Sequence, residues 1–209
     1  MTTPVKTPQT PLTPYSYTPP PESSEIGLKV ARTLLTLALI PLSRYTFHTI
    51  DRIPLIGDID VAVHEFGHYV FMPFGWQYAG ETMMYAGGAL MQITFPLIFA
   101  GYFLFARKHR DLHASTVCLW WSAINVVDVA IYAADARVRE LTLLSGVTGQ
   151  EDDNHDFYQI FSRLGVLQKD TLYADRMRTI AGIMMFVSIV AGLWAVWLAP
   201  KSKPVVDAD

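Results

Sequence analysis

Two histidines stand four residues apart with a glutamate beside the first, in His64-Glu65-Phe66-Gly67-His68. On a helix that spacing puts both imidazoles on one face, one turn apart, so that two nitrogens can reach a single tetrahedral ion. Glu65 lies on the adjoining surface, where its carboxylate can take a proton from a metal-bound water and pass it to a leaving amine. Zinc lowers the pKa of a bound water from about 15.7 to about 7, which yields a nucleophile at neutral pH. Gly67, inside the motif, leaves room for a neighbouring helix or a substrate backbone. The pattern predicts a Zn2+ site with His64 and His68 as ligands and Glu65 as general base.

Catalytic zinc takes three protein ligands and keeps a fourth position open, so one ligand must come from elsewhere. In NVVDVAIYAAD (125–135), Asn125, Asp128 and Asp135 fall on one face of a predicted helix. Carboxylates inside a membrane helix need a cation or a water path. Asp135 ends the apolar run beside Arg137, and Asp128 lies deeper. At about 1.5 Å of rise per residue the two stand about 10 Å apart along the axis, so both cannot touch one ion. His155, in DNHDF, is a further ligand candidate, although a loop histidine among acids is more often solvated. Asp60, one turn before His64, is placed to orient that ring as an acceptor. Gln92, beside Gly87 and Gly88, either helps to hold an extended substrate strand or is the polar partner of a helix-packing glycine pair.

A membrane bundle is what the composition offers to position these groups. Of 209 residues, 51% are hydrophobic and 17% charged, whereas soluble domains carry roughly a quarter charged. Crossing about 30 Å of hydrocarbon takes about 20 mostly apolar residues. Segments 26–45, 56–73, 83–106, 112–134 and 180–199 approach that requirement, so the expected fold is all-α, a polytopic membrane helix bundle of about five segments. The second carries Asp58, Asp60, His64, Glu65 and His68, which must face protein or a water-filled cavity. It is expected to lie beside the fourth.

Residues 1–25, dense in Pro, Thr and Ser, read as a disordered tail, with no early apolar run to make a secretory signal. Residues 26–199 read as one membrane domain, including a polar loop over 136–178, and 200–209 as a polar tail. Within the loop, Phe157, Ile160, Phe161 and Leu164 recur at helical spacing, predicting a short amphipathic helix that caps the bundle or lies on the bilayer. The lone Cys118 excludes an internal disulfide and a CxxC metal site. Basic residues cluster beside apolar runs, which suits membrane flanks and not nucleic acid. A multi-pass protein of a cell membrane is expected, with the RKHR turn (107–110) and Lys201 and Lys203 on the cytoplasmic side. Five full crossings would put the N-terminus outside, against Lys29 and Arg32 as inside anchors, so its orientation stays open.

In these residues the chain resembles the site-2 protease family of intramembrane zinc metallopeptidases. That family combines a transmembrane HExxH helix, a glycine-containing connection, and a later helix with an Asn followed by the Asp that completes the zinc site. Here HEFGH (64–68), GGALMQ (87–92) and NVVDVAIYAAD (125–135) come in that order, within residues 56–136. The resemblance implies zinc-dependent hydrolysis of a peptide bond in a membrane protein or peptide, with Asn125 and Asp135 in the positions of the family's asparagine and ligand aspartate. The chain departs from the family's NxxPxxxLDG string. Asp128 stands where proline is usual, and Ala134-Asp135-Ala136 where LDG would be, which divides the third ligand between Asp135 and Asp128. Two other functions fit the same residues: a zinc-binding, non-proteolytic membrane scaffold, and a membrane zinc hydrolase acting on a small or lipid substrate. Glu65 argues against the scaffold, since holding zinc does not require it.

Overall fold

Long apolar runs in this chain become long helices. The computed structural model describes residues 22–76, 80–106, 108–143 and 145–199. It contains α1 (Glu22–His48), α2 (Ile56–Phe71), α3 (Gly80–Phe105), α4 (Leu112–Ala134), α5 (Asp156–Arg163) and α6 (Asp170–Trp197). Among the described residues there is no strand, only an isolated bridge between Thr142 and Thr148. Four helices, α1, α3, α4 and α6, are long and apolar enough to cross a membrane. The protein is thus an all-α membrane helix bundle.

α4 is its centre, because its small residues let neighbours close in on every side. Ala123, Val127, Ala130 and Ala133 have no exposed surface. One core forms where Trp120, Ala123 and Val127 meet Leu39 of α1 and Ala181 and Met185 of α6. The other joins Val129 and Ala133 to Ala89 of α3 and to Phe157, Ile160 and Phe161 of α5. α5 therefore caps the bundle and does not lie on the bilayer. Leu164, expected on its buried stripe, caps the helix C-terminus and is 62% exposed.

Several boundaries move. α1 begins at Glu22, so the end of the expected disordered tail is helical, and residues 1–21 and 200–209 lie outside the described residues. α6 begins at Asp170 and not at 180, because its polar first turns still bury Asp170 and Ala174 on one side. The largest change concerns the second segment. α2 has 16 residues, which at about 1.5 Å each cover about 24 Å, short of the roughly 30 Å of hydrocarbon.

Hydrogen bonds give its depth. Asp60, near the start of α2, accepts from Trp121 and Asn125 in the middle of α4. His68, near its end, meets the carbonyl of Met84 in the second turn of α3. After α1 the chain therefore turns back into the bundle and α2 returns to the end it came from. Non-helical backbone at such a depth is tolerated where it lines a cavity, and Ile50, Asp51 and Arg52 do line one.

With α2 too short, four helices remain that are long and apolar enough to cross a membrane. Arg32 pairs with Asp111 at the start of α4, and the Lys29 ammonium lies 5.6 Å from the Trp197 ring at the end of α6. The basic residues of α1 and the start of α4 thus share one end of the bundle. In place of the expected close packing of the second segment on the fourth, α3 packs against both, while α2 and α4 meet through side chains such as Asp60 with Trp121 and Asn125.

Two glycines allow that contact. A Cβ at Gly67 would come within 2.3 Å of the Gly87 carbonyl oxygen, and one at Gly87 within 2.7 Å of the Gly67 oxygen. Since backbone cannot swing aside as a side chain can, Gly67→Ala is expected to destabilise the bundle by about 1–3 kcal/mol, the range of overpacked cores. Equilibrium unfolding in mixed micelles measures this, and an unchanged midpoint would show that the helices can separate freely.

Candidate metal centre

The site is built where α2 faces α3. His64 and His68 stand on the inner side of α2 with their rings 4.9 Å apart. The Nδ1 of His64 lies 2.9 Å from Gln92 Oε1, and that of His68 lies 2.8 Å from the Met84 carbonyl oxygen. Both partners are acceptors, so each Nδ1 carries the hydrogen and each Nε2 of a neutral ring presents a lone pair. Those two Nε2 atoms converge on one carboxylate oxygen, Asp156 Oδ2, at 3.1 and 3.4 Å.

Three acceptors facing one another repel unless a proton or a cation lies between them. One ligand atom from each of the three residues falls within 4.8 Å of the others, the arrangement a metal ion requires. Fixing the remote nitrogen of each ring on a carbonyl-type oxygen is also how metal-ligating histidines are oriented. The backbone makes room for this. At Gly88 of α3 a Cβ would come 2.4 Å from His64 Nε2 and 2.7 Å from His68 Nε2. Of the two adjacent glycines, Gly87 admits α2 and Gly88 admits the imidazole pair.

Asp156 opens α5, and its N–H donates to the Tyr132 hydroxyl at 3.0 Å. Burial opposes ionisation of its carboxyl, yet with protons on the two imidazoles their hydrogen bonds and charge hold it below the usual carboxylate range, as a cation in the same place would.

The structure brings Asp156 to the histidines and uses the three expected third ligands differently. Asp135 is the C-cap of α4, where the helix stops. Its carboxylate accepts the N–H groups of Glu140 and Leu141, each at 3.0 Å, and faces His155 Nε2 at 3.2 Å. Asp128 takes the Arg52 guanidinium at 2.9 Å and the Gln92 amide at 2.8 Å, so an arginine supplies the cation its depth demanded. His155 is not solvated but fully buried, with both ring nitrogens engaged by Asp135 and the Tyr158 N–H. Burial pushes its imidazole below the usual range, which keeps it neutral.

The ring of His64 is oriented by Gln92 in place of Asp60, which accepts from Trp121 and Asn125. Asn125 also donates to the Gln92 carbonyl oxygen at 2.8 Å. Gln92 is thus the hub behind His64, and it also lines the cleft.

Sequence reasoning passed over Asp156 because it sits in an acidic loop, EDDNHD, that looks solvated. A signal was present. Residues 156 and 160 share a helix face, and Ile160 belongs to the apolar stripe, so Asp156 had to point inward with it.

Glu65 is exposed and needs no place among the ligands. It lines a cleft of about 750 Å³ together with His64, His68, Tyr132, Leu141 and Asp156. The fold and site define a helical membrane protein with a His–His–Asp cluster formed between the short helix α2 and the start of α5. Comparison of the chain with protein-family models, with curated proteins and with solved structures finds no match.

Proposed function

We propose that this protein is an intramembrane zinc metallopeptidase of the site-2 protease type that hydrolyses a peptide bond in a membrane protein or peptide. The observation that carries the reading is the convergence of His64 Nε2, His68 Nε2 and Asp156 Oδ2 within reach of one ion, beside a glutamate in an open cleft. His64, His68 and Asp156 would hold the ion. Zinc in such a setting polarises a carbonyl as a Lewis acid and acidifies a coordinated water.

The chain's own residues supply the rest. Glu65, on the cleft side of α2, is positioned to take a proton from water and return it to the leaving amine. Gln92 and the Met84 carbonyl fix the two rings, so their Nε2 atoms need no reorganisation during turnover. A helical substrate hides its amides in its own hydrogen bonds and must unwind before it is cut. The cleft, with Asp51, Arg52 and Asn154 on its walls, offers partners to the freed backbone groups. Retention of Glu65 at the opening favours hydrolysis over a purely scaffolding role.

Protein purified in detergent should carry one zinc per chain by elemental analysis and lose it on His64→Ala. Reconstituted with a library of transmembrane peptides, it should yield cleavage products by mass spectrometry that His64→Ala does not. Zinc-loaded protein that cuts no member of the library would sink the peptidase reading, and protein whose zinc content is nil and indifferent to the substitution would sink the metal site.

A further inference from the structure

Beside the site lies a buried pair of titratable groups that the proposed reaction does not use, Asp135 and His155. The imidazole of His155 is held on four sides. Its Nε2–H donates to Asp135 Oδ2 at 3.2 Å, and its Nδ1 accepts the Tyr158 N–H at 3.3 Å. One ring face lies on Tyr132, with centroids 4.2 Å apart. Against it stands Gly149, where a Cβ would come 3.1 Å from both Cβ and Cδ2 of His155. Asp135 in turn binds the N–H groups of Glu140 and Leu141, so one carboxylate ties the start of the α4–α5 connection to its end.

The residue after His155 is Asp156, and the same Tyr132 that supports the His155 ring accepts the Asp156 N–H. An aspartate delivered from the end of a long connection inherits that connection's freedom, and the entropy of closing it must be met somewhere other than at the metal. The hydrogen bonds of Asp135 and His155 meet it one residue away.

We propose that Asp135 and His155 form a hydrogen-bonded clamp that positions Asp156 against His64 and His68 and so sets the metal affinity of the site without touching the ion. The proposal rests on the metal-site reading given above. Both residues are positioning residues, and outer partners of this kind are worth about 10–100-fold in metal affinity.

Cobalt(II) titration of the detergent-purified full chain tests this, because visible absorption of the bound ion reports its coordination as well as its affinity. Asp156→Ala should lose the wild-type spectrum. Asp135→Ala and His155→Ala should each weaken binding by about 10–100-fold while reaching the wild-type spectrum at saturation. The double substitution should be no weaker than the worse single one, and Asp135→Asn, which keeps an acceptor for the His155 ring, should recover most of the affinity. Wild-type affinity in both single variants, with Asp156→Ala still defective, would overturn the clamp alone. An altered saturated spectrum in Asp135→Ala would make that residue a ligand and reject the clamp. Wild-type protein that binds no cobalt removes the metal reading and the clamp with it. Should an alanine variant fail to fold by circular dichroism, Asp135→Asn and His155→Asn carry the comparison; asparagine at 155 can still cap α5 but gives up the Asp135 bond.

Discussion

Glu65→Gln is expected to keep its zinc and lose about 100- to 10,000-fold in turnover, the usual contribution of a positioned general base. The substitution is close to isosteric and removes only the ability to take up and release a proton. Nothing in the ligand set depends on the carboxylate: both Nε2 atoms and Asp156 Oδ2 converge without it, and each Nδ1 is held from α3. Zinc content and thermal stability should therefore match wild type while kcat collapses on any peptide the wild type cuts. A variant that retains normal cleavage would show that Glu65 is not the base. Loss of zinc together with activity would mean that Glu65 contributes to holding the ion, and the chemistry assigned to it would have to be reassigned.

What the sequence revealed of the fold depended on whether a segment's fate is decided locally. α4 occupies 112–134 as expected, because a run of apolar and small residues between Asp111 and Asp135 admits one helix with those ends. The side chain of Asp111 caps its first turn by accepting from the Ala114 N–H. α2 was legible as a helix but not as a short one that starts deep in the bundle. Apolar composition measures whether a segment tolerates hydrocarbon, and Asp58, Asp60 and Glu65 already signalled contact with protein or water, but depth is set by partners in other helices. Asp60 reaches the middle of α4 because Trp121 and Asn125 wait there, a pairing that spans some sixty positions of sequence.

The same division runs through the site. His64, Glu65 and His68 announce themselves because one helical turn fixes their mutual geometry. Asp135 attracted attention by its place after Asn125, yet one residue of helix termination decides its role. α4 stops at Ala134, the chain turns, and the carboxylate is taken up by the backbone N–H groups it meets there. The residue that does reach the histidines arrives from a connection whose path is set by tertiary contacts, Tyr132 and His155 above all, and no local spacing encodes them.

Gly88→Ala is expected to lower zinc affinity by at least about 100-fold, beyond the usual effect of an outer-shell change, without altering any ligand. A Cβ at this position would stand 2.4 Å from His64 Nε2 and 2.7 Å from His68 Nε2, closer than non-bonded atoms tolerate. The rings must give way, and they have little freedom to do so. His64 is anchored at Nδ1 by Gln92, which is itself held by Asp128, and His68 by the Met84 carbonyl one turn before Gly88 on the same helix. Moving either ring breaks a hydrogen bond that orients it, and leaving it in place crowds the two Nε2 atoms that would hold the ion. The α2–α3 contact at Gly67 and Gly87 lies outside this clash, so the bundle should remain folded, at a cost of about 1–3 kcal/mol for the added methyl. Isothermal titration with zinc, set beside unfolding in the metal-free state, separates the two effects. A Gly88→Ala variant that is destabilised yet binds zinc as wild type does would place the ion away from the His64 and His68 Nε2 atoms and overturn the assignment of the centre.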